Sequence, residues 1–289
     1  MTKTDVIVVA GPTASGKSAH ALSLAQTCRG AIINADSLQL YDGLAHLTAQ
    51  PSIDDKAVAP HYLYGDIPPD HSVTAMDWRR MALDTIYAVR ENGYTPIVVG
   101  GTGFYLKTLM HGLSPIPEIP NDIRLLAEDL MDRIGIAAFF DHVKTVDPVI
   151  AERIDPHNRQ RLVRAYEVFA HTGQPLSYWQ SLPPVGVPDD LNFKPIVILP
   201  ERDTLYNRCN ARFDQMIEHG VVEEVRAFDD KILAGQFPFD CALTHALGFQ
   251  PLQSYVRGDM DLDTAITLSK NETRHYAKRQ VTWFKHQML

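Results

Sequence analysis

The apolar run Val6-Ile7-Val8-Val9-Ala10 leads directly into Gly11-Pro12-Thr13-Ala14-Ser15-Gly16-Lys17-Ser18. A buried strand, a glycine-bearing turn and a helix in this order form the phosphate-binding pattern G-x-x-x-x-G-K-[ST]. A strand without polar alternation is covered on both faces, so the chain is expected to build a parallel α/β sheet with helices on each side. The glycines let successive backbone N–H groups turn inward toward an anion, and the following helix adds its positive N-terminal end. In this pattern Lys17 reaches the outer phosphate and the Ser18 hydroxyl ligates Mg²⁺. The loop predicts a bound di- or triphosphate and leaves open what is done to it.

The strand–helix alternation continues through the first third. Lys17 to about Thr27 reads as a helix with Gly30 just past its end, and Ala31-Ile32-Ile33-Asn34-Ala35 as a second strand. Thr74-x-x-Asp77 is a capping pattern for a helix running to about Asn92, where Gly93 stops it. Pro96 to Gly100 is another unalternating strand, and Lys194 to Leu199 has the same character much later. Between them lie Pro115, Pro117 and Pro120, then helical patterns at about Asp122–Ile134, Ala137–Thr145 and His157–Thr172. The simplest organisation is a P-loop kinase-like α/β core of residues 1–114 and 196–289, carrying C-terminal helices, with a helical insertion at 115–195.

With 289 residues, 45% hydrophobic and 21% charged, the chain can hold such a core plus a smaller domain. No stretch approaches the length of a membrane span, and Met1 to Asp5 runs into the first strand without a secretory pattern, so the expected compartment is the cytoplasm. Cys28, Cys209 and Cys241 lack metal-ligand spacing and read as reduced, packed thiols. The net charge of −8 argues against a nucleic-acid partner on the sum alone. Two segments run against that average, Arg153 to Arg164 and Lys270 to Lys285, and distribution decides such questions more than the total.

Four further segments carry chemistry. Asp36 stands just past the second strand, at the sheet edge where ligands bind in open parallel sheets. A carboxylate there can hold Mg²⁺ through water or take a proton from a nucleophile, and equally reads as a turn or cap residue. Gly100-Gly101-Thr102-Gly103 lets the backbone approach a ligand closely and offers the Thr102 hydroxyl, or is simply a tight strand–helix turn. Arg161 and Arg164 share a helix face beside Gln160, with Leu162, Ala165, Tyr166 and Phe169 as the apolar stripe. Lys270, Arg274, Lys278 and Lys285 fall near one side of a C-terminal helix that also carries Tyr276 and Trp283.

Taken together, Gly11–Ser18, Asp36-Ser37-x-Gln39-x-Tyr41, Gly100-Gly101-Thr102-Gly103, Arg161-x-x-Arg164-Ala165-x-Glu167-Val168 and Thr273-Arg274-x-x-Ala277-Lys278-Arg279-Gln280-x-Thr282-Trp283-Phe284 resemble the bacterial tRNA dimethylallyltransferases, in order and spacing, over about Val6 to Lys285. The resemblance implies transfer of a dimethylallyl group from dimethylallyl diphosphate to the exocyclic amine of the adenosine on the 3′ side of the anticodon. Asp36 would be the catalytic base, Thr102 and Lys17 would assist, and residues 11–18 would bind the diphosphate. The implied tRNA contacts are Asp36, Ser37, Leu38, Gln39, Thr102, Arg124, Gln160, Arg161, Leu162, Val163, Arg164, His245, Gly248, Gln250, Arg274, Lys278 and Arg279, with the insertion gripping the anticodon arm. Mg²⁺ at Ser18 is the expected cofactor, and a monomer the expected state.

The sequence departs from that pattern at Leu47-Thr48-Ala49-Gln50-Pro51, where the family commonly has Gly-Thr-Ala-Lys-Pro. It also has Tyr62 for a histidine, and Gln250-Pro251 where a basic residue usually stands. The alternative is a small-molecule kinase that uses the same loop on ATP, with Asp36 on the metal and Arg208 or Arg212 on a lid. That reading leaves the ordered basic segments unexplained.

Overall fold

The structure, a computed structural model, describes residues 3–289. Its elements, in chain order, are β1 (Thr4–Ala10), α1 (Lys17–Cys28), β2 (Gly30–Asn34), α2 (Ile53–Val58), β3 (His61–Tyr62), α3 (Ala75–Glu91), β4 (Thr95–Gly100) and α4 (Gly103–His111). There follow α5 (Asn121–Ile134), α6 (Ile136–Val146), α7 (Pro148–Ala151), α8 (Arg159–Thr172) and α9 (Leu176–Ser181). The chain closes with β5 (Leu191–Val197), α10 (Arg202–Glu218), α11 (Val221–Leu233), α12 (Phe249–Arg257) and α13 (Leu262–Gln287).

The five strands pair in parallel in the order β3-β2-β4-β1-β5. The lack of polar alternation has the expected cause. Val6, Val8, Ala31, Ile33 and Val98 face one buried cluster, which also takes in Trp78, Leu106, Phe249 and Phe284. Val9, Ile32, Ile97 and Val99 face the other, packed against Ala21 and Ala25 of α1. Each such valine, leucine, isoleucine or phenylalanine removed from water contributes about 1.5–3 kcal/mol. The carboxyl ends of β1, β2 and β4 lie side by side, so the segments that follow them share one edge.

Thr74 and Asp77 form the expected reciprocal capping box at the start of α3. At the end of α1 the left-handed residue is Arg29 (φ 48°), while Gly30 already belongs to β2.

The chain divides into two compact units, His111–Val187 and the remainder. The insertion therefore ends earlier than residue 195, because β5 begins at Leu191 and pairs with β1 from Thr4 onward. Within the helical unit, Leu162, Val163, Ala165 and Val168 of α8 pack against Ala127, Met131, Phe139 and Val143 of α5 and α6. The fully buried Asp147 accepts Ile150 N–H at 3.0 Å and Ser177 N–H at 2.8 Å, tying α7 to α9. Leu113 and Val185 pair antiparallel and close the unit at its two ends.

Candidate functional site

Residues 11–18 curl between β1 and α1 with Ala14 (φ 59°) and Gly16 (φ 93°) in the left-handed region. That conformation at 16 needs glycine, and it caps α1. The first-turn N–H groups of α1 have no intrahelical carbonyl and point toward the loop. Ser15 N–H donates to Pro12 O at 3.2 Å, and Lys17 Nζ to the same carbonyl at 3.2 Å. From α10, Arg212 donates to Thr13 Oγ1, and Arg208 to Ser15 O at 3.1 Å. The Ser15 hydroxyl is buried and, among the described residues, without a hydrogen-bond partner.

Burial pushes Lys17 down to about 8, against the opposing pull of Asp36, with Arg212 lowering it further. Burial likewise lowers Arg212. Two largely buried cations with a single carboxylate close enough to act on both leave positive charge uncompensated. That uncompensated charge is complementary to an anion such as a phosphate. The lid arginines expected of a kinase are instead fixed on α10 and hydrogen-bonded to the loop.

Asp36 and Thr102 sit on neighbouring loops. Thr102 N–H donates to Ala35 O at 3.2 Å, and Ser37 N–H donates to Thr102 Oγ1 at 3.0 Å. Asp36 Oδ1 accepts Leu38 N–H at 3.1 Å, a local turn that leaves Oδ2 for other work. Beneath it, the fully buried Asn34 accepts Asp36 N–H at 2.8 Å and donates to Asp36 O and Leu63 O, both at 2.9 Å. Trp78 Nε1 donates to Asn34 O at 2.9 Å. The carboxylate is therefore presented by a fully hydrogen-bonded base.

The remaining residues of the 36–39 segment are used differently. Leu38 packs on the core, and Gln39 Nε2 donates to Thr48 O and Ala49 O at 2.7 and 2.9 Å, so its donor group is spent inside the protein. Gln50, at a departing position, donates to Tyr41 O at 2.8 Å. Pro251 is accommodated in the first turn of α12, where a missing N–H costs nothing.

In the helical unit Arg161 is exposed, Arg164 pairs with the buried Glu167 at 2.6 Å, and Arg124 pairs with Glu128 at 3.1 Å. Gln160 is exposed beside Arg161. Leu162 and Val163 have their side chains in the unit's core, so they cannot offer them to a nucleic acid. On α13, Lys270 pairs with Asp214, and Arg274 bonds Asn210 and Asn271, whereas Lys278, Arg279 and Lys285 are exposed. Arg279 lies over the Tyr276 ring at 5.5 Å. His245 is exposed and 2.8 Å from Asp240; Gly248 is buried, its N–H donating to Glu272. His245, Gln250, His275 and Arg279 line one hollow of about 300 Å³.

Sequence reading missed the roles of Asn34 and Gln280. Gln280 lay within a motif, but nothing in its spacing said that its amide faces inward, where it accepts Thr13 N–H and donates to Gly101 O.

Among the described residues no group of three or more His, Cys, Asp or Glu side chains could hold a metal ion, and no helix is long and apolar enough to cross a membrane.

The chain matches the family model "IPP transferase" over residues 39–287. It is 46% identical to a tRNA dimethylallyltransferase of Paramagnetospirillum magneticum, covering 100% of this chain and 90% of that protein. It is 44% identical to one of Rhodospirillum centenum, covering 98% and 89%. A crystal structure of tRNA isopentenylpyrophosphate transferase from Staphylococcus epidermidis superposes with a TM-score of 0.66 at 31% identity, covering 99% of this chain and 92% of that one. A eukaryotic dimethylallyltransferase acting on tRNA gives 0.84 at 25% identity, covering 97% and 70%. A buried cationic cradle at one sheet edge, a braced aspartate beside it and full-length similarity of this order lead to one assignment: the chain belongs to the IPP transferase family, the tRNA dimethylallyltransferases.

Proposed function

We propose that the protein transfers a dimethylallyl group from dimethylallyl diphosphate to the exocyclic amine of the adenosine on the 3′ side of the tRNA anticodon, releasing diphosphate. The observation that carries this reading is the placement of Asp36 beside the phosphate loop, on a base fixed by Asn34 and Thr102. An aromatic amine is a poor nucleophile, so proton loss must accompany attack. Asp36 is the base, a role worth about 10²–10⁴-fold. The allylic carbon bears positive charge readily, which moves the difficulty to the leaving group. The loop N–H groups, Lys17, Arg208 and Arg212 stabilise the charge that develops there.

Mg²⁺ keeps several waters and takes few protein ligands when phosphate oxygens are present. The exposed Ser18 in the first turn of α1, with no carboxylate cluster nearby, fits that habit. Bound there, Mg²⁺ would neutralise diphosphate charge. Thr102 orients the amine or the leaving group, and the adenine leaves its stack to reach the site. Arg161, with Arg124, Gln160 and Arg164, grips tRNA phosphates from the helical unit. Lys278 and Arg279 do so from α13, with His245 and Gln250 beside them. The protein acts as a monomer in the cytoplasm.

Incubation with labelled dimethylallyl diphosphate, Mg²⁺ and tRNA from cells lacking the modification tests this reading. Label in tRNA supports it. No label, with phosphate transfer from labelled ATP to a nucleoside, would overturn it in favour of a kinase.

A further inference from the structure

Gln280 lies on α13 with 6% of its surface exposed, and both ends of its side-chain amide are engaged. Oε1 accepts Thr13 N–H at 2.8 Å, and Nε2 donates to Gly101 O at 2.8 Å. Thr13 belongs to the phosphate loop, and Gly101 immediately precedes Thr102. The partners fix the orientation of the amide, since one offers a proton and the other accepts one. Gly101 is shaped to this contact: a Cβ there would lie 2.5 Å from Gln280 Nε2. One turn further along, Trp283 covers Gly103, where a Cβ would lie 2.2 Å from the ring. The Thr13 N–H is thereby withheld from the anion and used to fix the loop from outside.

We propose that Gln280 is a positioning residue that locks the phosphate loop to the loop bearing Thr102, so that the leaving-group cradle and the acceptor-side hydroxyl are held at a fixed separation. Gln280 itself is buried, and both ends of its amide are spent on backbone partners. Its effect is on geometry, to which transfer is sensitive because a misplacement of about 1 Å can cost about 10²-fold in rate. The inference rests on the reaction proposed above.

The test uses the full chain and three variants. Gln280→Met removes both hydrogen bonds. Gln280→Glu keeps an acceptor for Thr13 N–H and sets a carboxylate oxygen against Gly101 O. Gly101→Ala leaves Gln280 in place and pushes its amide away. Each is expected to lower kcat about 10–100-fold, the range for groups that orient functional residues. Affinity for an anticodon stem-loop should stay near that of the unaltered protein. Amide exchange across residues 101–103, measured without substrate, should quicken in all three. Gln280→Met in the Gly101→Ala background should cost little more than either change alone. Where Gln280→Met fails to fold, the other two variants carry the test.

The proposal is overturned if kcat holds while stem-loop affinity is lost, which would make Gln280 a tRNA contact. It is also overturned if exchange at 101–103 is unchanged, or if the two substitutions add fully. An unaltered protein that transfers nothing to tRNA contradicts the proposed reaction instead, and the exchange comparison still judges the bridge.

Discussion

Thr102 Oγ1 accepts the Ser37 backbone N–H at 3.0 Å, joining the loop after β4 to the loop after β2 right beside Asp36. The hydroxyl therefore ties the two loops together, a role measurable apart from any contact with substrate. Thr102→Ser keeps the acceptor and should keep most of the activity. Thr102→Val keeps the shape, strands the Ser37 N–H at a cost of about 1–3 kcal/mol, and should lower kcat about 10–100-fold. Steady-state kinetics of the pair, with thermal melts, checks this. Equal activity in both would remove the hydroxyl from the account.

The depressed Lys17 predicts a pH dependence of anion binding. Burial holds Lys17 at about 8 in the free protein, well below its ordinary range. Below that pH the ammonium is already present, and diphosphate binding takes up no proton there. Above it, binding must restore the proton, so affinity for inorganic pyrophosphate should fall about tenfold per pH unit. Titration calorimetry of the unaltered protein and of Lys17→Met, across this range, separates the residue from the titration of pyrophosphate itself. Parallel curves for the two would contradict the assignment.

Arg161 and Arg164 share a helix face but not an environment. Arg161 is exposed, so Arg161→Ala should weaken tRNA binding, reduce the salt slope by about 1 and leave the melting temperature unchanged. Arg164 pairs with Glu167, whose side chain is only 5% exposed. Arg164→Ala strands that carboxylate, so it should also destabilise the helical unit by about 1–3 kcal/mol. Filter binding at several salt concentrations, beside thermal melts, distinguishes the two.

Asp229 predicts an acid sensitivity of the α/β unit. Burial alone would raise its pKa, but hydrogen bonds from Arg257 and Gln253 hold it below the usual carboxylate range. A lowered folded value means that its stabilisation is complete above about pH 4 and is lost as the pH falls toward that value. Asp229→Ala leaves the guanidinium of Arg257, itself exposed to water, without its carboxylate and removes the hydrogen bonds from Arg257 and Gln253, so it should cost about 1–3 kcal/mol near neutral pH. The difference from the unaltered protein should shrink in acid, and a constant difference would argue against the pair.

Much of this was legible in the sequence because it rests on local rules. The strands announced themselves through runs such as Ile97-Val98-Val99, whose alternate residues face two different buried clusters. The capping box at Thr74 and the glycine stop at Gly93 follow from backbone chemistry within a few residues. The 11–18 loop could be read because strand, turn and helix are contiguous. What stayed hidden depends on long-range contact. The apolar stripe already turned Leu162 inward, but nothing near Val163 says that its side chain joins the helical core while Arg161 faces water. Nothing near Gln39 says that its amide holds the carbonyls of Thr48 and Ala49. Asn34 and Gln280 are polar residues in buried positions; Asn34 bonds Asp36 two residues on, but Leu63 and Trp78 beside Asn34, and Thr13 and Gly101 beside Gln280, are partners set by topology rather than spacing.

The most direct test is nucleoside analysis of tRNA from cells lacking the modification, after incubation with dimethylallyl diphosphate, Mg²⁺ and either the unaltered protein or Asp36→Ala. Isopentenyladenosine beside the anticodon is expected with the unaltered protein. Asp36→Ala should give little or none while still binding the tRNA. A variant that forms the product at the unaltered rate would contradict the assignment of Asp36 as the base.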